Sequence, residues 1–366
     1  MNRKLFSTIL ATGTLICSNS FAAGFSPKIS ADLVVEWQNE YRSNSDNTSI
    51  DDTNRSFVRS ELAPKVEFTE NIFIDGVLVF EPFAQEGFKD AGDDVWFDRH
   101  GLFAEEIKLN YENGSYAVWA GKFNPGFGTA WDARGIWGED FAEDYEITQK
   151  IGFGGAYTHE TQGMGSHTFA ASTFFADTTF LSKGTVSGLD KTKLVDGGSS
   201  NTEDFSSFAI SVDGENAAGI ENLNYHASYR SLAEQDKNQS ATTDDESGFA
   251  IGLNYSFEAN EDLGFDILLE YAGIDNMGGV KNTNHDYYTA GLVTTIKQNW
   301  NVTVGYTKRD IDATGTTSDF DDHLFQISGG YDFGNGLTSD IGYRGTDESN
   351  QETDIIGFMF RYSKEF

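Results

Sequence analysis

The densest set of chemically capable side chains lies between residues 124 and 148. There Asp132, Glu139, Asp140, Glu143, Asp144 and Glu146 surround a single base, Arg134. Carboxylates gathered in this way select ions by sign, most sharply where low-dielectric walls confine the field. A solvated surface loop would use the same residues only for solubility, but long connections are commonly functional. Bond-making chemistry has no comparable signal. His100, His159, His167, His226, His285 and His323 are scattered, with no Gly-x-Ser-x-Gly elbow and no His-Glu-x-x-His motif. The run Asp236-Lys237-Asn238-Gln239-Ser240 opens like a calcium loop, yet Gly at its sixth position and Glu at its twelfth are missing, which excludes an EF-hand. The reading is therefore of a non-enzyme, with no cofactor and no dedicated metal site.

The bulk composition agrees. Lys and Arg total 25 against 58 Asp and Glu in 366 residues, a formal charge of -33. Such a chain has no nucleic-acid surface, because phosphates attract basic residues. Its field concentrates cations and repels anions. Mean hydropathy is -0.43, as in soluble proteins. Aromatic residues nevertheless reach 14%, Gly is abundant at 39 and Pro scarce at 4. A polar average with many aromatics suits a barrel whose strands alternate between an apolar outer face and a polar inner one.

The chain opens with Arg3 and Lys4, an apolar stretch from Leu5 to Ile16, and Ser20-Phe21-Ala22. These are the parts of a cleaved secretory leader, expected to occupy residues 1–22 and too short to span a bilayer. The mature barrel would occupy 23–366. Cys17, the only cysteine, lies in the leader, and bulky Ile16 argues against a lipoprotein site there.

The elements that must position the acidic segment are strands. Ile29, Ala31, Leu33, Val35 and Trp37 alternate with Asp32, Glu36 and Gln38. The pattern returns in Phe249 to Phe257, Phe265 to Tyr271, Trp300 to Tyr306, and Ile356, Phe358, Phe360 and Tyr362. About sixteen strands are expected, with fourteen or eighteen as alternatives, starting near residues 28, 57, 72, 101, 115, 148, 167, 205, 222, 247, 264, 286, 300, 322, 337 and 353. Short turns such as Glu112-Asn113-Gly114-Ser115 alternate with long polar connections such as 177–204 and 232–246. The expected fold is all-β, a transmembrane antiparallel barrel with short periplasmic turns and long extracellular loops. A soluble β-sandwich would not favour outward aromatics near both strand ends. Strands in lipid must close into a barrel to satisfy their backbones.

Alternation also assigns faces. On the second strand Leu62, Pro64, Val66 and Phe68 point to lipid, leaving Arg59, Glu61, Lys65 and Glu67 inside. On the fourth, Phe103, Ile107, Leu109 and Tyr111 point out, leaving Glu106 and Lys108 inside; Lys122 is expected inside as well.

Several features resemble Gram-negative outer-membrane porins of the general-diffusion type. Phe366, preceded by Phe358, Phe360 and Tyr362, is similar to the terminal signal read by the barrel-assembly machinery. Ala120-Gly121-Lys122-Phe123-Asn124-Pro125-Gly126-Phe127-Gly128, followed by weak alternation up to Ile151, resembles the third loop that folds into a porin barrel. Phe175-Ala176-Asp177-Thr178-Thr179-Phe180 also looks porin-like. The likeness spans the mature chain. The Pro-Glu-Phe-Gly-Gly sequence of enterobacterial general porins is missing, so the detailed loop shape does not carry over.

The resemblance implies a homotrimer in the outer membrane, in contact with lipid and lipopolysaccharide. It makes the acidic 124–148 segment a pore constriction for small hydrophilic solutes. It also implies a basic facing wall, with Arg59, Lys108 and Lys122 as candidates beside Lys65 and Glu106; the alternative is that these lumen charges simply pair with neighbouring carboxylates. No rows of inward Arg and Lys are apparent, so cations are the expected preference. A sugar path along Trp119, Phe127, Trp131 and Trp137, an anion-selective pore, and an outer-membrane enzyme dependent on one His are the alternatives.

Overall fold

The structure, a computed structural model, describes residues 27–83, 91–133, 135–137, 140–186, 190–237, 239–313 and 319–366. The expected leader, Arg134, Glu139 and the side chain of Asp140 lie outside the described residues.

Strands form where the apolar alternation places them. In chain order they are β1 (Lys28–Ser45), β2 (Thr53–Glu67), β3 (Ile72–Pro82), β4 (Asp94–Trp96), β5 (His100–Asn113), β6 (Tyr116–Phe123), β7 (Lys150–Thr161), β8 (Gly165–Ala176) and β9 (Ser207–Glu215). They continue with β10 (Leu223–Leu232), β11 (Glu246–Asn260), β12 (Leu263–Asp275), β13 (Thr283–Ile296), β14 (Trp300–Ala313), β15 (Phe320–Gly334), β16 (Leu337–Glu348) and β17 (Gln351–Glu365). The largest error in an expected start is at β2, placed at 57 and found at 53.

Sequence neighbours pair antiparallel around the whole sheet, and β1 pairs with both β2 and β17, so the barrel is closed. The short β4 is an addition not foreseen from the sequence. It lies parallel against the upper end of β2, leaving sixteen strands in the wall. A barrel of this size has room for water.

Register confirms the two faces. Arg59, Glu36 and Arg361 form an inner row across β2, β1 and β17, and Val58, Trp37 and Phe360 form the adjoining outer row. The outer face ends in aromatic collars. At the short-turn end Tyr116 meets Tyr157, Phe257 meets Phe265, and Trp300 meets Tyr331. At the long-loop end Tyr41 donates to Asp52 just before β2, and Tyr271 and Tyr343 donate to Asp286 and Asp354 on the next strand. A ring whose body is apolar and whose hydroxyl is wet suits such a boundary.

One face assignment needs correction. The β3–β5 register slips between Val77 and Leu78, which pair with Glu106 and Ala104 and leave Glu105 as the bulged residue. Beyond the bulge the phase reverses. Phe103 shares a row with Val79 and is buried, rather than facing lipid with Leu109 and Tyr111.

Candidate functional site: an acidic eyelet formed by an infolded loop

The connection 124–149 between β6 and β7 does not continue the wall. Its described residues lie along the inner surface between β10 and β17, held by side chains from many strands. Glu270 on β12 is the main anchor. Its carboxylate accepts from the Thr129 amide (2.6 Å) and hydroxyl (2.7 Å), the Ala130 amide (2.9 Å) and the Tyr145 hydroxyl (2.6 Å). Gly128 passes so close that an added Cβ would lie 2.7 Å from the Tyr145 ring, and its φ of +66° favours glycine there.

Further along, Gln326 on β15 brackets Trp137, donating to its carbonyl and accepting from its amide. The Trp137 indole donates to Glu40 (2.7 Å) and lies over Gly357, where a Cβ would be 2.1 Å from the ring. On the return limb Asp144 accepts from Arg309 (2.7 Å) and Tyr287 (3.0 Å). Arg230 donates to the Tyr145 carbonyl and stacks over Phe127 at 4.4 Å, while pairing with Glu246.

These anchors decide what the acidic residues can do. Asp144 holds the loop to β13 and β14. Glu146 is the loop acid within electrostatic reach of Arg59 on β2 and Glu105 on β5, and Asp132 and Glu143 act on it from within the loop. Burial pushes the Glu146 carboxyl up to about 8. Repulsion from Glu105 and Glu143 adds to the shift, and Arg59 opposes it. Asp140 lies in the one-turn helix Asp140–Glu143.

The facing wall is not simply basic. Arg59 pairs with Glu81 at 2.7 Å, and Lys108 with Glu106 and, at 4.0 Å, Asp75. Lys65 pairs with Glu67 at 3.3 Å and covers the Phe73 ring. Glu61 and Glu105 add carboxylates in the same field. The eyelet is thus lined on both sides by acids, with bases held in pairs among them.

Two sequence expectations are corrected here. Lys122 does not face the lumen: it pairs in register with Ile107 and Ile151, on the outer face shared with Val118 and Ala120, and is fully buried. Inward arginines do exist, as Arg42, Arg55, Arg230, Arg309, Arg344 and Arg361 all occupy inner positions. Four of them are held in ion pairs, Arg55, Arg230, Arg309 and Arg361 with Glu40, Glu246, Asp322 and Glu36. The four aromatics named for an alternative sugar path instead pack, as the loop-packing reading of them has it. Phe127 and Trp137 are buried, and Trp119 and Trp131 pack into the same core beneath the loop.

His226 was missed as an inner residue. Its Nδ1 lies 2.6 Å from Asp213 and its Nε2 2.8 Å from the Ser228 hydroxyl, which in turn accepts from the Gly128 amide at 3.2 Å. Alternation places His226 and Ser228 on one face, and that signal was available. Among the described residues no group of three or more His, Cys, Asp or Glu is arranged to hold a metal ion. At the chain end Phe358, Phe360 and Tyr362 lie on the outer face of β17. Phe366 follows the strand, exposed, exchanging backbone hydrogen bonds with Ala31.

No protein-family model matches the chain, and no curated protein sequence does. Solved structures do match in fold. The outer membrane channel DcaP of Acinetobacter baumannii is 12% identical with a TM-score of 0.57, over 95% of this chain and 100% of that one. OmpF of Salmonella typhi, in complex with daunomycin, is 12% identical with a TM-score of 0.59, over 93% and 98%. The trimer form of OmpT, an outer membrane protein of Vibrio cholerae, is 15% identical with a TM-score of 0.51, over 93% and 100%. The chain has the closed sixteen-stranded barrel fold of outer-membrane porins.

Proposed function

We propose that the protein is a passive outer-membrane porin: small hydrophilic solutes and ions diffuse down their gradients through its eyelet, with cations preferred. The observation that carries this reading is the loop folded into the barrel by Glu270, Arg309 and Gln326, which sets its acid Glu146 in the field of Glu105 on the wall. Charge rings of one sign select permeant ions, and a formal charge of -33 adds attraction at long range. No step of bond chemistry is required. The assembly would be a homotrimer, as the trimeric neighbour and the prevalence of closed cyclic symmetry suggest. Residues 1–22 would direct export. Phe358, Phe360, Tyr362 and Phe366 would present the terminal strand to the barrel-assembly machinery, and lipid with lipopolysaccharide would surround the collars. Swelling of liposomes carrying the purified protein in uncharged sugars of graded size tests the channel. Swelling that declines with solute size supports it, and impermeability to the smallest sugars contradicts it.

A second reading rests on the aligned Asp213, His226 and Ser228, whose order of contacts matches that of a hydrolytic triad. Against it, the Ser228 hydroxyl already accepts from Gly128 and lies beneath the loop, so the set serves as a loop anchor. Labelling of Ser228 by an active-serine reagent, abolished in Ser228→Ala, would favour the enzyme.

A further inference from the structure

Folding the 124–149 segment inward leaves a notch in the wall. β6 stops at Phe123 and β7 begins at Lys150, while β5 extends upward to His100 with only its Ile107–Asn113 portion paired to β6. Residues 177–186 cross this notch from outside. Thr185 donates its amide (2.7 Å) and hydroxyl (3.0 Å) to the Leu102 carbonyl on the exposed edge of β5. Phe205, later in the same connection, packs on the outward rings of Phe153 and Phe175, which fixes the connection to the outer face.

Lys122 lies beneath this strap. Its ammonium contacts Asp177 (2.9 Å), the Leu181 carbonyl (3.2 Å) and Gln149 Oε1 (3.1 Å), a full complement for three N–H donors. Asp177 is itself oriented, accepting from the Thr179 amide and hydroxyl at 2.9 and 2.6 Å. Gln149 is the last residue of the infolded loop, and its amide donates to Asn124 Oδ1 at 2.8 Å, closing the loop's neck. Asn124 in turn donates its side-chain amide to Glu105 (2.7 Å) and its backbone amide to Glu106 (2.9 Å), both carboxylates of the facing wall. A continuous chain of polar contacts therefore runs from the outer strap, through Lys122 and the neck, to the eyelet.

We propose that Lys122 and Asn124 are positioning residues that clasp the neck of the infolded loop, and that through them the strap 177–186 sets the shape of the eyelet from outside. A buried lysine on an outward position has no other physical reason in this wall: its charge is tolerated only because the strap supplies acceptors. The inference rests on the reading of 124–149 as the pore constriction, and the experiment separates the two.

The test uses the full-length protein in planar bilayers, with three variants. Gln149→Ala removes the Lys122–neck contact and keeps the Lys122–Asp177 pair. Lys122→Met with Asp177→Asn removes both buried charges together. Thr185→Pro deletes the strap's amide bond to β5 without altering any lumen residue. Heat-modifiable gel mobility checks that each barrel is closed. The clasp predicts a several-fold rise in open-channel current noise, with new subconductance levels, in all three. Wild-type noise in Gln149→Ala and the double variant would overturn the clasp. Wild-type noise in Thr185→Pro alone would overturn control by the strap. Failure of the constriction reading shows differently: neutralising Glu143 and Glu146 would then leave the wild-type reversal potential unchanged.

Discussion

The lumen has two walls built of the same alternating strands, and their charges do different work. On the β10–β17 side, Glu270, Arg230, Arg309 and Gln326 are occupied in holding the infolded loop, and each is almost fully buried. On the β2–β5 side, Arg59, Glu61, Lys65 and Lys108 occupy inner positions across from the loop, and Glu105 and Glu106 touch it at its neck through Asn124. Position on a strand gives a residue its face, but the loop decides whether that face meets protein or water. On the proposed porin reading, the buried wall would set the shape of the pore and the open wall its ionic selectivity.

The largest effect should come from the buried wall. Glu270→Leu leaves four donors without their acceptor, and each buried unsatisfied group costs about 1–3 kcal/mol. The loop should detach while the barrel stays closed. Limited proteolysis within 124–149 and a marked rise in conductance noise would show it, and wild-type resistance and noise would break the distinction between the walls.

Selectivity should respond next, and only to the open wall and the loop surface facing it. A unit charge about 10 Å from the ion path in water is worth roughly 0.4 kcal/mol, a factor of about two in local cation concentration. Neutralising Glu105, Glu143 and Glu146 together as glutamines, measured above pH 8 where Glu146 is charged, should lower the local cation concentration by up to about eightfold on this estimate, and the cation-to-anion permeability ratio by more. Glu246→Gln, on the buried side, should change it little.

A smaller effect should follow pH. The Glu146 carboxyl, raised to about 8, is mostly neutral below that value and charged above it. Cation preference should therefore increase between pH 7 and 9, by about the factor of two expected of one charge. Glu146→Gln should flatten this profile. A preference that falls over the same range would reverse the sign of the argument.

The smallest effect is expected at Lys65, whose pair with Glu67 is partly exposed. Lys65→Met should alter stability by less than about 1 kcal/mol, measured as the midpoint of urea unfolding in detergent micelles.

Much of this architecture was legible in the sequence. Period-two alternation located the sixteen wall strands and gave the face of Arg59, Lys65, Glu106 and Lys108. Two kinds of feature escaped it. The bulge at Glu105 reverses the phase of β5, and a pattern that assumes unbroken alternation cannot place Phe103. Lys122 failed for the opposite reason. Alternation with Val118 and Ala120 puts it outside, against the expectation that it faces the lumen. Only the distant strap, 55 residues further along at Asp177, makes the outer position tolerable. The acidic loop was recognised, but its anchors were not, because Glu270, Arg309, Gln326 and Glu40 lie on strands remote from it in sequence. The Asn-x-x-Gly-x-x-Asn-x-Asn pattern of 216–224 recurs at 276–284. Both copies form the same turn, with Asn222 and Asn282 amides donating to Asn216 and Asn276 side chains. That local repeat was readable from spacing alone.

The central claim is that acids on both sides of the eyelet make the pore prefer cations. The reversal potential of the wild-type protein in a planar bilayer, under a tenfold KCl gradient at pH 8, tests it most directly. The account predicts a potential of the sign set by potassium, shifted toward zero in the Glu105, Glu143 and Glu146 triple glutamine variant. A potential at zero, or of the sign set by chloride, would contradict it.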